Sequence, residues 1–206
     1  MHPVRFSTFA VVLALLALPA SAAEGAPPSE HCPHHAAPAA ATPYARSLHS
    51  YRPPDVTLVD QDGRRVPLSA ALRTDVPVAV NFIFTTCTTV CPVMSATFAG
   101  VRRRLGADGE RLQMVSISID PERDRPAALK SYAARFGAQP AWRFYTGTTE
   151  DVRSVLAAFN VLAGDKSNHR PVTLLRPAGG QAWIRIDGLS SSEALAAEVR
   201  GLLASR

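Results

Sequence analysis

A chain of 206 residues is long enough for one domain with a sizeable core and too short for two such domains. Its formal net charge of +5 comes from arginines that are scattered along the chain, apart from the run Arg102, Arg103 and Arg104. Because the sequence lacks the interleaved basic and aromatic residues of nucleic-acid-binding proteins, we expect no nucleic-acid partner.

Residues 1–22 have the pattern of a secretory signal peptide. A weakly basic start precedes an apolar run from Phe9 to Leu18, and the small residues Ala20 and Ala22 form an A-x-A cleavage site. The run is about ten residues long, against the roughly 20 needed to span a bilayer. We therefore expect an exported protein of the periplasm or cell envelope, where disulfides persist, with a retained N-terminal membrane anchor as the alternative.

Residues 23–50 are rich in Ala, Pro and Ser and follow neither the helical nor the strand period. This composition predicts a flexible tail. The folded domain is expected to occupy residues 51–206.

Within that domain, strand-like and helix-like periods alternate. Residues 55–67 predict a β-hairpin that turns at Asp62-Gly63, and residues 77–84 predict a central strand covered on both faces. Residues 92–104 predict a helix that ends at Gly106. The remaining predicted elements are a strand at 112–119, helices at 124–137 and 148–159 around a strand at 142–146, a loop at 160–171, strands at 172–176 and 181–187, and a helix at 191–203.

This order of elements predicts an α/β fold with a central, mostly parallel sheet, helices on both faces and an N-terminal β-hairpin. The closing strand pair is expected to add an antiparallel edge. The sequence of strands and helices is that of the thioredoxin-like arrangement.

The pair Cys87 and Cys91 lies where the central strand gives way to a helix. Because Pro92 lacks an N–H and fits only the first turn, that helix begins no earlier than about Thr89. The helix N-terminus favours a thiolate, so the pair is predicted to be a redox pair or half of a metal site. The spacing permits a disulfide, but a loop this small would stabilise the fold little, which disfavours a purely structural bridge.

Two thiolates make an incomplete metal site, and His169 is the one histidine of the predicted domain. It precedes the strand at 172–176, where a thioredoxin-like fold brings this loop opposite the helix N-terminus. Two thiolates and one imidazole suit copper, especially Cu(I), and are one ligand short of the closed set that structural zinc needs. A solvated loop histidine is the alternative.

In these features the chain resembles the Sco (SenC) copper-chaperone family. The resemblance is carried by FIF and TTCTTVCPVM, by SISIDPERDRPAALKSYAARFG, by the loop histidine and by a P-x-G-like turn, over about residues 50–205. It implies a thioredoxin-like fold and a copper site formed by Cys87, Cys91 and His169. It also implies delivery of copper to, or reduction of the cysteines of, the binuclear copper centre of cytochrome c oxidase.

Asp120 and Asp124 match the Asp-x3-Asp pattern of that family. Asn168 stands where the family often has an aspartate directly before the histidine, which removes a carboxylate that could orient the imidazole. We expect Asp124 to be the N-cap of the helix that opens at Pro126 and Asp120 to end a strand, with a contact to a partner protein as the alternative.

Two functions of different classes follow. The leading hypothesis is a monomeric, exported copper metallochaperone that serves the cytochrome c oxidase subunit carrying the binuclear centre, or another exported thiol protein. The alternative is a thiol-disulfide oxidoreductase that acts without obligatory copper, in which Cys87 attacks and Cys91 resolves. Whether the protein is an enzyme stays open. A peroxiredoxin is disfavoured because Phe84 and Val80 occupy the positions of its required Thr and Pro.

The tail contains a second group of metal-binding residue types in the segment HCPHH, namely His31, Cys32, His34 and His35. These ligands suit an accessory copper-collecting site. A solvated spacer with a free thiol is the favoured interpretation.

Overall fold

The computed structural model of the chain describes residues 44–204, except residues 74, 139 and 163. The strands within this range are β1 (Tyr44–Ser50), β2 (Thr57–Asp60), β3 (Arg65–Pro67), β4 (Val78–Ile83), β5 (Gln113–Ser118), β6 (Trp142–Thr146), β7 (Val172–Arg176) and β8 (Ala182–Gly188). The helices are α1 (Leu68–Ala71), α2 (Val90–Leu105), α3 (Pro126–Arg135), α4 (Thr149–Ala158) and α5 (Ser192–Ala204). The predicted signal peptide and the HCPHH segment lie outside the described residues.

The eight strands form one sheet in the order β1-β8-β7-β4-β5-β6-β2-β3. The α/β class and the hairpin formed by β2 and β3 are confirmed. The expected predominance of parallel pairing is corrected, because only β4, β5 and β6 pair in parallel among the described strands. The other five neighbouring pairs are antiparallel.

The direction of β7 accounts for its antiparallel pairing with β4. The loop after α4 runs back along that helix, so that Val161 and Lys166 line the same groove as Thr149 and Leu156. The chain therefore enters β7 at the edge of the sheet where α4 began, and β7 runs antiparallel to β4. A tight turn then makes β8 antiparallel to β7, with Gly180 N donating to Pro177 O at 3.2 Å.

Residues 44–50, predicted as part of the tail, are instead strand β1 of the sheet. β1 pairs with β8 along its whole length, from Tyr44 opposite Gly188 to Ser50 opposite Ala182. Its polar, half-exposed pattern is that of an edge strand, which the apolar alternation used for the prediction does not detect. The folded domain thus reaches at least to Tyr44 and does not begin at residue 51.

Helices cover both faces of the sheet, as predicted. On one face α2, α3 and α5 bury a cluster that includes Phe98, Leu129, Tyr132, Leu195 and Val199. On the other face α1 and α4 bury a cluster that includes Leu68, Val155 and Phe159. β4 lies between them and is buried at every position, as its continuous apolar run requires. Over the described ranges, no helix has both the length and the apolar character needed to cross a bilayer.

Three loops leave the sheet at one edge. Asn81 near the end of β4 pairs with Ser116 of β5 and with Thr173 of β7. The carboxyl ends of β4 and β5 therefore meet the amino end of β7. This is the edge at which α/β folds place ligand sites. Three segments lie at it: the loop from β4 to α2 that carries both cysteines, called here the cysteine loop, the turn after β5, and the loop that ends at His169.

Loss of β1 is predicted to destabilise the domain. A shortened protein that begins at residue 51 should have a free energy of unfolding at least about 2 kcal/mol below that of one beginning at residue 40, because a net hydrogen bond contributes roughly 0.5–1.5 kcal/mol. Urea denaturation followed by the fluorescence of the buried Trp142 and Trp183 measures the difference. Equal free energies of unfolding would show that β1 is not an integral strand.

Candidate functional site

The cysteine loop joins the end of β4 to the start of α2. Cys87 N donates to Phe84 O at 3.2 Å, which closes a turn directly after the strand. Thr89 is the N-cap residue and Val90 the first helical residue, so the predicted start of this helix is confirmed. Pro92 falls in the first turn, where its missing N–H leaves no hydrogen bond unmade.

The two sulfur atoms lie together at the amino end of α2. The backbone N–H of Cys91 donates to Cys87 Sγ at 3.4 Å. The hydroxyl of Thr89 lies 3.7 Å from the same sulfur. Both cysteines are free thiols, and Cys91 is completely buried in the core whereas Cys87 is half-buried. The structure thus presents one accessible sulfur with a second sulfur behind it.

The environments of the two cysteines shift their pKa values in opposite directions. Desolvation raises the pKa of Cys87, but hydrogen bonds from the backbone and thiol of Cys91 and from Thr89 outweigh it and lower the pKa overall. Burial raises the pKa of Cys91 to about 12, and the neighbouring charges of Cys87 and Asp124 add to this effect. Cys87 is therefore the more readily ionised thiol of the pair, and Cys91 is the one that keeps its proton.

His169 lies at the same edge of the sheet, directly before β7, and is only 7% exposed. Its Nε2 is 3.0 Å from the carbonyl oxygen of Phe82 in β4. Because a carbonyl oxygen only accepts, Nε2 carries the proton in this bond, and Nδ1 carries the lone pair. Burial lowers the pKa of His169, although the bond to Phe82 opposes the shift. The imidazole is thus held neutral, the form that binds metals.

The three predicted ligands are not yet assembled around one point. Among the side chains that the structure describes, no group of three His, Cys, Asp or Glu could hold a metal ion. The cysteines are already adjacent, whereas His169 is engaged with Phe82. The donor types fit a soft metal ion, and the three-ligand set stays a prediction.

Asp124 does not cap α3, so that prediction was wrong. Arg125 is the N-cap residue, and no side chain caps this helix. The buried carboxylate of Asp124 instead accepts from the backbone N–H of Thr85 at 3.1 and 3.2 Å and from its hydroxyl at 2.5 Å. It also accepts from the hydroxyl of Ser118 at 2.6 Å. Asp124 therefore ties the cysteine loop to the end of β5.

As Asp124 holds the cysteine loop, Asp120 holds the loop that ends at His169, called here the histidine loop. Its carboxylate pairs with Lys166, three residues before His169, and also lies 3.7 Å from Arg123 Nη1. The ammonium of Lys166 lies 5.8 Å from the centre of the Phe84 ring, beside the cysteine loop. Sequence analysis found neither Lys166 nor Thr85, because both contacts join residues about 40 positions apart and no local spacing signals them.

Comparison with known proteins gives a consistent result. The family model described as SCO1/SenC matches residues 49–204. The SCO1 homologue of Bacillus subtilis is 36% identical over 102 residues, which cover 49% of this chain and 52% of that protein. A SCO2-like protein of Rickettsia conorii is 31% identical over 107 residues, which cover 52% of this chain and 50% of that protein. The chain thus spans about half the length of these curated relatives.

Solved structures agree with the fold. ScoI of Bradyrhizobium japonicum, determined with copper bound, has a TM-score of 0.59 and 26% identity, covering 71% of this chain and 96% of that one. BsSco is a member of the Sco family of cytochrome c oxidase assembly proteins, and a disulfide switch was identified in it. Its structure has a TM-score of 0.65 and 24% identity, and the match covers 78% of this chain and 98% of that one. The predicted thioredoxin-like fold is confirmed by these likenesses.

The contact between Asp124 and Thr85 is predicted to be energetically coupled. Asp124→Ala should lower the free energy of unfolding by about 3 kcal/mol, because each buried donor left unpaired costs about 1–3 kcal/mol. Thr85→Val should be destabilising as well, and a double-mutant cycle from urea denaturation should give a coupling of roughly 1–3 kcal/mol.

The matched control is Asp75→Ala, which removes an exposed carboxylate paired with Arg73 and should leave the free energy of unfolding essentially unchanged. Additive effects of Asp124→Ala and Thr85→Val would contradict the tie between the loop and the sheet. Additive effects are expected if Asp124 only capped α3, because it would then make no contact with Thr85.

Proposed function

Since the chain belongs to the SCO1/SenC family, we propose that it is a copper metallochaperone whose site is formed by Cys87, Cys91 and His169. The observation that carries the proposal is the pair of sulfurs at the amino end of α2, with Cys91 N donating to Cys87 Sγ at 3.4 Å. The copper-bound ScoI of Bradyrhizobium japonicum, which shares the fold at 26% identity, supports copper as the cargo.

The chemistry of the donors favours a soft, exchangeable metal ion. The lowered pKa of Cys87 makes its thiolate the easier of the two to form, and Cys91 has to lose its proton when it binds. His169 is a neutral imidazole whose Nε2–H bond to Phe82 orients the ring, as a backbone carbonyl commonly does for a metal-bound histidine. Three such donors leave the site one ligand short of a closed zinc centre, which suits copper that has to be released again.

The recipient is proposed from the relatives. BsSco is a member of a family of cytochrome c oxidase assembly proteins, and we extend that role to this chain as delivery of copper to the binuclear centre. A monomer that meets one oxidase subunit, or another thiol protein, is the form we propose. The pattern of residues 1–22 supports export to the periplasm or cell envelope.

Thiol-disulfide exchange is the second candidate function, and the opposite pKa shifts of the two cysteines favour it. The Cys87 thiolate would attack a partner disulfide, form a mixed disulfide and release the other partner sulfur as a thiolate. Cys91 would then lose its proton and attack Cys87 Sγ. The partner gains two electrons and leaves with two thiols, and the pair becomes a disulfide.

Copper titration of the reduced protein tests the chaperone proposal. In a Cys32→Ser background, which removes the tail thiol, we expect about one copper per chain. Cys87→Ser and Cys91→Ser should each abolish tight binding, because two thiolates provide most of the affinity for Cu(I). His169→Ala should weaken binding at least about tenfold, since the third donor is lost.

His49→Ala is the matched control, because His49 stacks on Tyr51 in the outer part of the sheet and bonds to Ser47. It should bind copper like the parent protein. Undiminished affinity in His169→Ala would remove His169 from the site, and undiminished affinity in both cysteine variants would overturn the proposed function.

The exchange reaction makes a different prediction. With a disulfide substrate, Cys91→Ser should accumulate a mixed disulfide at Cys87, visible by mass spectrometry, whereas Cys87→Ser should not react at neutral pH. The rate of attack should fall as the pH drops through the lowered pKa of Cys87, because only the thiolate is nucleophilic. Trapping at Cys91 instead would reverse the assigned roles.

A further inference from the structure

Lys166 has no part in the site as the sequence describes it, yet its contacts connect the two loops that carry the ligands. It begins the 3-10 turn Lys166–Asn168, which leads directly to His169. The backbone N–H of His169 donates to Lys166 O at 3.1 Å. Lys166 and His169 are therefore joined through one backbone turn, so that a shift of Lys166 would also shift the backbone of His169.

The ammonium of Lys166 pairs with Asp120, whose side chain is only 7% exposed, while the side chain of Lys166 is 35% exposed. A carboxylate this well shielded gains more from a fixed cation than an exposed one does, and loses more when that cation is removed. Asp120 also lies 3.7 Å from Arg123 Nη1, but Arg123 is itself largely exposed. Lys166 is thus the better-shielded cation of the two.

Asp120 is itself held in place. Its backbone N–H donates to the hydroxyl of Ser118 at 3.0 Å, and its carbonyl accepts from the N–H of Asp124 at 2.9 Å. Ser118 donates its hydroxyl to Asp124, which holds Thr85 of the cysteine loop. The turn after β5 consequently fixes both loops, one through Asp124 and the other through Asp120.

We propose that Lys166 is a positioning residue of the copper site, which acts through His169 by fixing the histidine loop to Asp120. The inference rests on the proposed function and adds to it a residue that does not touch the metal. The loop is also held at its two ends, where Val161 N donates to Leu156 O and Gly188 N donates to Pro171 O, and through the bond of the His169 ring to Phe82. The ion pair between Lys166 and Asp120 joins the loop to the turn after β5.

The first test measures Cu(I) affinity by competition with a chromogenic chelator. Lys166→Met keeps the length of the side chain without its charge and should weaken binding about tenfold, as loss of an outer partner of a metal ligand typically does. Lys166→Arg should restore most of the affinity. The control Lys130→Met, which breaks the 3.1 Å pair with Asp62 elsewhere on the surface, should leave it unchanged.

A variant with His169→Ala separates positioning through the histidine from a general effect. Lys166→Met should cause no further loss of affinity in the His169→Ala background, because the group through which it acts is gone. An equal tenfold loss in both backgrounds would overturn the inference. So would an unchanged affinity of Lys166→Met in the parent protein, even though the proposed function would stand.

The second test needs no copper. In the reduced apoprotein, ring ¹⁵N shifts should show His169 with its proton on Nε2, and Lys166→Met should give a mixture of the two tautomers. Hydrogen exchange of the His169 amide should accelerate at least about tenfold in Lys166→Met and not in Lys130→Met. Unchanged shifts and exchange would overturn the inference. Failure of the parent protein to bind copper would refute the proposed function, and these measurements would still decide whether Lys166 fixes His169.

Discussion

A buried carboxylate, that of Asp124, is the contact on which the rest of the site depends. It accepts hydrogen bonds from the backbone N–H and the hydroxyl of Thr85 and from the hydroxyl of Ser118, and so joins the loop after β4 to the end of β5. Burial raises the pKa of Asp124 although these bonds oppose it, which is the cost of placing a carboxylate there. The loop that is held in this way carries Cys87 to the amino end of α2.

Once that loop is fixed, the chemistry of the sulfurs follows from their surroundings. Cys87 is half-buried and receives hydrogen bonds that stabilise a thiolate, whereas Cys91 faces the core and stays protonated. A thiolate beside a thiol can take up a soft metal ion or exchange disulfides. His169 separates the two proposed uses, because the proposed copper site includes its imidazole and thiol-disulfide exchange does not require it.

The sequence predicted the parts of this arrangement that local patterns determine. The apolar run of β4 and the place of Pro92 located both cysteines at a strand-to-helix junction, and the β-α alternation predicted the fold. It could not predict the direction of β7, because a returning loop and a crossover have the same residue pattern. The sequence could not predict the role of Asp124, since an aspartate before a helix that opens with proline has the pattern of an N-cap. It could not predict the role of Lys166 either, because the partner Asp120 is distant in the sequence. Strand β1 was not predicted, because an edge strand needs no alternation of apolar residues.

X-ray absorption spectroscopy at the copper edge, on reduced protein loaded with one Cu(I), tests the central claim most directly. The account predicts a first coordination shell of two sulfurs and one imidazole nitrogen, and loss of the nitrogen alone in His169→Ala. A shell with a single sulfur, or a nitrogen contribution that persists in His169→Ala, would contradict it. Such a result would show that Cys87, Cys91 and His169 do not bind the copper together.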